Sequence, residues 1–305
     1  MVKHVIFTSG FCLAAMGLHG DGNLDFSSIP CATEADLPAL HTWVARDGET
    51  LSYRLYGDSS KNLMLLLHGS GSHGGYLDFF ARNLADNALI CVPTMRGHYK
   101  SGSTRGACSY VGQLEDDLCD LLRHLKSESF AQVSMVGNSS GGGLAIRFSG
   151  GKYGSMVNRY ALLAPVIPAD KELMRKEASW VTVNTVKIPL LVIANMLGIS
   201  WFNTTKVITF NMPQERRDGT ETLEYSYNLL FSMNPRFDYL SDVASIDGRS
   251  IVLVGRQDEC IRADAYARLF KKSPIYIFDD LNHFTLVRDT RVIEKVREFC
   301  IKGLS

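Results

Sequence analysis

Ser139 lies in the pentapeptide Gly-Asn-Ser-Ser-Gly, residues 137–141, which is the segment best suited to nucleophilic chemistry. An apolar run, 131–136, precedes the pentapeptide, and a glycine-rich segment typical of a helix start follows it. Small residues cluster in many turns, so the motif alone is weak. Between a buried strand and a helix, however, flanking glycines allow a strained turn that raises the serine hydroxyl clear of the sheet. Ser139 is therefore the predicted nucleophile. Ser140 competes, but the residue two before it is Asn138, which crowds such a turn.

Two later strand-like segments end in residues that complete a proton relay. The apolar run 250–255 is followed by Asp258, and the run 274–278 leads to His283. A histidine can remove the proton of a serine hydroxyl, and a carboxylate can orient the imidazole. Alone, Asp258 is also typical of a turn and His283 of a solvated loop. Together with Ser139, in the order nucleophile, acid and histidine, they predict a catalytic triad.

A glycine-rich loop, His-Gly-Ser-Gly-Ser-His-Gly-Gly at 68–75, follows the apolar run 63–67. Acyl transfer passes through a tetrahedral oxyanion, which needs preorganised hydrogen-bond donors. A loop after an early strand can supply one main-chain donor, and the residue after the nucleophile can supply the other. The sequence therefore predicts an oxyanion hole made by the amides of Ser70 and Ser140.

The same loop supplies the predicted substrate contacts Gly69, Gly71 and His73, although a solvated loop position is the commoner role for such a histidine. The alternative is a phosphate cradle. The loop lacks the Gly-Lys-Ser/Thr ending of a P-loop and the G-x-G-x-x-G spacing of a dinucleotide site, which disfavours that alternative. We expect the chemistry to need neither a metal nor an organic cofactor.

The elements that would position these residues alternate between strand and helix. Asp47-Gly48 between two alternating segments predicts an antiparallel hairpin at the start of the sheet. Short apolar runs separated by helical patterns predict parallel strands buried on both faces, at 63–67, 88–92, 131–136, 160–164, 251–254 and 275–278. The clearest helix, 111–125, has an apolar stripe, and its acidic residues are expected to face solvent: Glu115, Asp116 and Asp120.

Three regions follow from this pattern. Residues 41–164 and 243–305 are predicted to form an α/β core, with a mostly parallel sheet and helices on both faces. Residues 165–242, where the alternation lapses, are predicted to form a helical cap over the strand ends that carry the serine. Residues 1–40 are predicted to be an N-terminal leader or a signal or anchor segment.

The predicted cap contains an almost unbroken apolar segment, 188–199, followed by Trp201. This segment is expected to pack against the core, to line an acyl-chain pocket or to contact lipid, and these roles are compatible. Leu191, Met196 and Trp201 are its predicted substrate contacts.

The composition narrows the function classes. The chain has 305 residues, 32 basic and 32 acidic side chains and a pI near 7.1, so it lacks the positive field of a nucleic-acid-binding protein. Its seven cysteines show no C-x-x-C or Cys/His ligand spacing, so we expect no zinc site. The scatter argues against a disulfide framework and leaves a single bridge, for example at Cys31, open.

The N-terminus has a basic start, a moderately apolar centre and small residues at Ala15 and Gly17. This pattern is compatible with export or membrane attachment, and equally with a cytoplasmic protein whose first helix packs on the domain surface. The oligomeric state does not follow from the sequence.

The glycine-rich loop, the turn Met95-Arg96-Gly97-His98, the serine pentapeptide, Asp258 and His283 together resemble the α/β-hydrolase superfamily, over roughly residues 45–299. They are most similar to its lysophospholipase, monoacylglycerol lipase and serine aminopeptidase-like branch. The resemblance implies Ser139 as nucleophile, His283 as general base and acid, Asp258 as the orienting carboxylate, and the Ser70 and Ser140 amides as oxyanion donors. Met95 departs from it, because this branch often has aspartate there; we expect a local change of packing around Arg96.

These expectations predict a serine hydrolase that cleaves carboxylic esters of small molecules or lipids through an acyl-enzyme, as an esterase or a lysophospholipase- or monoacylglycerol lipase-like enzyme on acyl-chain esters. An aminopeptidase-like activity on small peptides is the alternative, and a non-catalytic ligand-binding module is a further one. Acidic residues in the cap could hold a peptide amine, but they are mixed with basic ones and fit a solvated surface. Peripheral membrane contact is expected through the N-terminus or the cap.

Overall fold

The structure is a computed structural model that describes residues 24–29, 34–58, 61–175 and 180–302. These residues form eleven strands: β1 Leu40–Val44, β2 Thr50–Tyr56, β3 Asn62–Leu67, β4 Leu89–Thr94, β5 Gln132–Asn138, β6 Arg159–Leu163, β7 Val181–Val183, β8 Lys206–Phe210, β9 Glu224–Ser226, β10 Ser250–Gly255 and β11 Ile275–Phe278. The α-helices of the same residues are α1 Asp78–Arg82, α2 Gln113–His124, α3 Ser140–Gly150, α4 Lys187–Met196, α5 Tyr227–Ser232, α6 Tyr239–Ile246, α7 Tyr266–Leu269 and α8 Thr290–Arg297.

Eight strands form the central sheet in the order β1-β2-β4-β3-β5-β6-β10-β11. From β4 to β11 neighbouring strands are parallel, whereas β2 pairs antiparallel with both β1 and β4. The predicted hairpin and the six predicted parallel strands are confirmed. Nearly all apolar side chains of the inner strands are buried because helices cover the sheet, as the continuous runs at 63–67 and 251–254 required. The predicted burial on both faces was wrong for β11, whose side chains are only partly buried because it is the edge strand.

Helix α2 confirms the predicted apolar stripe, but the expectation that its acidic residues all face solvent was wrong. Glu115, Asp116 and Asp117 are buried. Arg147 Nε lies 2.5 Å from Glu115 Oε2, and Arg96 Nη2 lies 2.7 Å from Asp117 Oδ1. Buried carboxylates are tolerated when charged partners replace the lost water, so this cluster joins α2 to the rest of the core.

The segment predicted as a helical cap contains helices α4 and α5, but it also contains a sheet that the sequence analysis did not predict. Strands β7, β8 and β9 pair antiparallel in that order. The two outer strands have three residues each, too short for a clear alternation of apolar and polar residues. The cap is therefore a mixed unit whose sheet brings β9 towards the glycine-rich loop, where Tyr225 meets Gly71.

The predicted leader is divided by the structure. Residues 1–23, which carry the signal-like pattern, lie outside the described residues. Residues 24–29 pack against the domain, with Leu24 and Phe26 buried, and β1 begins one residue before the predicted core boundary. In the described ranges, no helix has the length and apolar character needed to cross a membrane.

Candidate active site

Ser139 occupies the sharp turn between β5 and α3. Its backbone angles, φ 55° and ψ −122°, lie in a region that residues other than glycine rarely adopt, at a cost of about 1–3 kcal/mol. A Cβ atom at Gly137 would lie 2.4 Å from the Gly141 carbonyl oxygen, and one at Gly141 would lie 2.4 Å from the Leu67 oxygen. Both glycines of the pentapeptide are therefore required for the turn to fit against β3.

The structure brings the three predicted triad residues together. Ser139 Oγ lies 3.0 Å from His283 Nε2, and His283 Nδ1 lies 2.7 Å from Asp258 Oδ2. The remaining oxygen of Asp258, Oδ1, accepts the amide hydrogens of Cys260 and Ile261 at 2.8 and 2.9 Å. The carboxylate is thus fixed by its own loop, and it fixes the imidazole in turn.

His283 is fully buried, and two opposing effects act on its pKa. Burial lowers the pKa, but the charge of Asp258 and its hydrogen bond to Nδ1 outweigh burial, so the pKa lies above its ordinary value. The imidazole is consequently a stronger base than a free histidine. With Nδ1–H donated to Asp258, Nε2 is the nitrogen that can accept the Ser139 proton.

Two tyrosine hydroxyls hold the glycine-rich loop. The Gly69 amide donates to Tyr76 Oη and the Gly71 amide donates to Tyr225 Oη, both at 2.7 Å. Ser70 lies between these two anchored amides, and its hydroxyl is 2.7 Å from that of Ser140. Within the described part of the chain, neither the Ser70 nor the Ser140 amide donates to a protein group, so both predicted donors are available to a ligand.

The Tyr225 anchor depends on a neutral histidine that the sequence analysis did not single out. Burial lowers the pKa of His98 to about 4. His98 Nδ1 lies 3.1 Å from the Arg96 carbonyl oxygen, to which it donates, so Nε2 can accept from Tyr225 Oη at 2.5 Å. Gly71, Tyr225 and His98 therefore form one directed chain of hydrogen bonds. His98 lies in the turn already noted at 95–98, whereas nothing in the sequence marked Tyr225.

A second chain supports Gly69. Tyr76 Oη donates to Asn138 Oδ1 at 2.6 Å, and His68 Nε2 accepts the Met95 amide at 2.9 Å. Asn138 is the residue just before the nucleophile, so this chain couples the loop to the serine turn. The contact at Met95 uses its main chain, so it does not depend on which side chain stands at this position.

Ser139 opens into a pocket beside the glycine-rich loop. Its described lining is mostly apolar: Leu24, Phe26, Ile29, Gly69, Ser70, Ser72, Tyr76, Asn138, Ser139, Trp180, Met212, His283 and Phe284. Among these residues there is no carboxylate or basic side chain apart from the imidazole. The described pocket therefore suits an uncharged, apolar group.

Of the predicted substrate contacts, Gly69 lines the pocket and the others do not. The Gly71 amide donates to Tyr225 Oη. His73 caps a short helix, because its Nδ1 accepts the Gly75 amide hydrogen at 3.1 Å. Leu191 is buried in a separate cluster inside the cap. Met196 and Trp201 are 80% and 84% exposed. The apolar face of α4 points to solvent, which is why these cap residues lie away from the serine.

One group of potential metal ligands occurs among the described residues, and it overlaps the relay. The ligand atoms of Asp258, Cys260 and His283 all lie within 4.8 Å of one another. Both ring nitrogens of His283 already have hydrogen-bond partners, and burial raises the pKa of the Cys260 thiol well above its ordinary value. These residues fit a proton relay better than a metal site.

Three features define the α/β-hydrolase fold, as the sequence resemblance implied. They are the strand order of the central sheet, the sharp turn at Ser139, and the positions of Asp258 and His283 just after the ends of their strands. Residues 58–286 match the family model described as serine aminopeptidase, S33, and the chain belongs to this family. It is 26% identical over 278 residues to the proline iminopeptidase PfmaB of Pestalotiopsis fici, which covers 84% of this chain and 97% of that protein.

Solved structures share the fold at low sequence identity. A soluble variant of the monoglyceride lipase of Saccharomyces cerevisiae has a TM-score of 0.65 at 16% identity, covering 91% of this chain and 98% of its own. A thermophilic esterase from Thermogutta terrifontis has a TM-score of 0.61 at 18% identity, covering 88% of this chain and all of its own. The predicted branch and fold are confirmed, and the protein is a hydrolase with esterase, lipase or peptidase-like relatives.

The elevated pKa of His283 predicts the pH dependence of Ser139 reactivity. Only the neutral imidazole can accept a proton, so the rate of fluorophosphonate labelling should fall on the acid side at a higher pH than for an ordinary histidine. Asp258→Asn removes the charge that raises the pKa, so the acid limb should move to lower pH and the rate should fall by about 10⁴-fold. Asp264→Asn, at an exposed aspartate, is the control. An acid limb that stays in place in Asp258→Asn would contradict this assignment.

The Tyr225 chain predicts a loss of turnover when its hydroxyl is removed. Tyr225→Phe leaves the Gly71 amide and His98 Nε2 without their partner, and displacement of the Ser70 amide should lower kcat by up to about a hundredfold with little change in KM. Tyr227→Phe, in the buried cap cluster, should leave kcat unchanged. Steady-state kinetics on a small ester measure both variants. Equal kcat values for the two would show that the loop keeps its position without Tyr225.

Proposed function

We propose that this protein is a serine hydrolase that cleaves carboxylic esters through an acyl-enzyme. The observation that carries the proposal is the hydrogen-bonded line from Ser139 through His283 to Asp258, next to two main-chain amides available to an oxyanion. A nucleophile, a base with an orienting carboxylate and two oxyanion donors are the parts that acyl transfer requires.

In the proposed reaction, the ester carbonyl oxygen accepts hydrogen bonds from the Ser70 and Ser140 amides. His283 Nε2 takes the Ser139 proton as Oγ attacks the carbonyl carbon, and Asp258 stabilises the resulting imidazolium. The C–O bond to the alcohol breaks, and the alcohol leaves with the proton from Nε2. Water then gives a proton to Nε2 and attacks the carbonyl carbon of the acyl-enzyme. The bond between Oγ and the acyl carbon breaks, Nε2 returns the proton to Ser139 Oγ, and the acid leaves.

The pocket favours an ester over a peptide substrate. An aminopeptidase must hold the charged amine of its substrate, and a carboxylate is the natural partner for that charge. The described pocket lining has apolar side chains and neutral polar groups there, with no acidic side chain. Peptide cleavage remains the second candidate, because the family description and the curated relative both name peptidases.

Replacement of the nucleophile tests the proposal. Ser139→Ala should lower ester hydrolysis by about a millionfold and abolish fluorophosphonate labelling. Ser140→Ala keeps its main-chain amide and should retain labelling. A panel of p-nitrophenyl esters and aminoacyl p-nitroanilides then separates the two candidates, and we expect hydrolysis of the esters. Labelling that persists in Ser139→Ala would exclude this nucleophile, and faster cleavage of the anilides would favour the peptidase.

We also propose that the exposed face of α4 contacts a lipid surface. Leu190, Ile193 and Met196 of the helix are exposed to solvent, and Val186, Leu197 and Trp201 extend the same apolar surface. Contiguous exposed apolar side chains of this kind mark interaction sites. From Trp180 to Gln214 the chain has two lysines and no acidic residue, so no negative charge opposes an anionic interface, and tryptophan suits the boundary between water and lipid.

Vesicle binding tests this contact. Leu197→Glu should reduce co-sedimentation with vesicles of phosphatidylcholine and phosphatidylserine at least tenfold, because a charged carboxylate would have to approach the acyl chains. Leu240→Glu, at an exposed leucine on α6, is the matched control and should bind like the unmodified protein. Equal binding by both variants would argue against the lipid contact. A change of oligomeric state in Leu197→Glu alone would assign the face to a second copy of the chain.

A further inference from the structure

A segment before the first strand forms part of the pocket wall. Residues 24–29 contribute three apolar side chains to the lining: Leu24, Phe26 and Ile29. Phe26 is only 5% exposed, although it precedes the central sheet in the chain and belongs to no long helix or strand. Its burial therefore comes from contacts with the rim of the pocket.

Phe26 lies between the histidine loop and the cap. Its ring centroid is 5.5 Å from that of Phe284, the residue after His283, and 6.3 Å from that of Trp180. Trp180 in turn stacks on Phe210 of β8 at 4.7 Å. Aromatic rings at these separations pack favourably and fill space rigidly. Phe26 thus closes the gap between the two sides of the pocket.

Polar contacts hold this segment on the loops that carry the acid and the base. The Asp25 amide donates to Glu259 Oε1 at 3.2 Å, and the other oxygen of Glu259 accepts the His283 amide at 3.2 Å. Asn282 Nδ2 donates to Asp25 Oδ2 at 3.5 Å, and Asp25 also accepts the Ser27 amide. One carboxylate therefore ties the main chain of the segment to that of the histidine loop, which sets the position of Phe26.

We propose that Phe26 closes the acyl pocket and sets the upper limit of the acyl group, so that the site takes compact acyl groups, short aliphatic or carrying a single aromatic ring. This inference rests on the proposed ester hydrolysis. The acyl group stays bonded to Ser139 through both halves of that reaction, whereas the alcohol departs after the first. The acyl group is therefore assigned to the pocket into which Ser139 opens, and Phe26 stands in its wall.

The test is the chain-length profile of p-nitrophenyl esters from acetate to dodecanoate, measured together with p-nitrophenyl benzoate. The unmodified protein should prefer short acyl groups and benzoate. Phe26→Ala should raise the ratio of kcat/KM for octanoate to that for acetate by about tenfold or more, since one methylene group admitted to an apolar pocket is worth about tenfold or more. Phe26→Trp should shift the ratio the other way. Phe237→Ala, at an exposed phenylalanine far along the chain, is the matched control and should leave the profile unchanged.

Fluorophosphonate labelling of Ser139 in every variant separates this inference from the proposed function. Absence of both labelling and ester cleavage in the unmodified protein would contradict the proposed ester hydrolysis itself. Normal labelling and cleavage with the same profile in Phe26→Ala, or a preference for long chains in the unmodified protein, would overturn the role of Phe26 alone. If Phe26→Ala loses labelling, Phe26→Leu serves instead, because it keeps a smaller apolar side chain. Phe26→Leu should also raise the ratio of kcat/KM for octanoate to that for acetate.

Discussion

The pair formed by Asp258 and His283 is the interaction on which the site depends. Both side chains are buried, where a charged group is costly unless a partner and hydrogen bonds replace water. Asp258 has three such partners: the imidazole and two amides of its own loop. With the carboxylate satisfied in this way, the imidazole is held in one tautomer. In water, the attraction between the two side chains would be screened and the imidazole would be free to rotate. Burial therefore keeps Nδ1 on Asp258 and Nε2 on Ser139.

The sheet makes this pair meet the serine. Ser139 follows β5, Asp258 follows β10 and His283 follows β11, and the strand order places β6 between β5 and β10. Parallel strands lie about 4.8 Å apart and end at the same edge. Residues that are 144 positions apart in the chain can therefore come within hydrogen-bonding distance through short loops. The sharp turn at Ser139 places its hydroxyl 3.0 Å from His283 Nε2.

The sequence was informative where a residue's role follows from a local pattern. Apolar runs located the parallel strands, and glycine spacing located the turn at Ser139. The hydrogen-bond partners of the glycine-rich loop could not be found in this way, because Tyr225 approaches Gly71 through a three-residue strand of the cap. The burial of Glu115 was likewise hidden, since its arginine partner Arg147 lies on another helix. Contacts between distant segments depend on packing, which no local spacing encodes.

The cap and the first described segment have complementary effects on the same cavity. Tyr225 from the cap holds a donor loop, while Trp180 and Phe26 line the pocket with aromatic rings. Exclusion of water strengthens the attraction between an oxyanion and its two amides. It also limits the water that must enter for deacylation, so a closed pocket suits acyl groups that leave room beside His283. In the proposed mechanism, the apolar wall and a compact acyl group would therefore both serve one requirement: a dry oxyanion hole that still admits one water molecule.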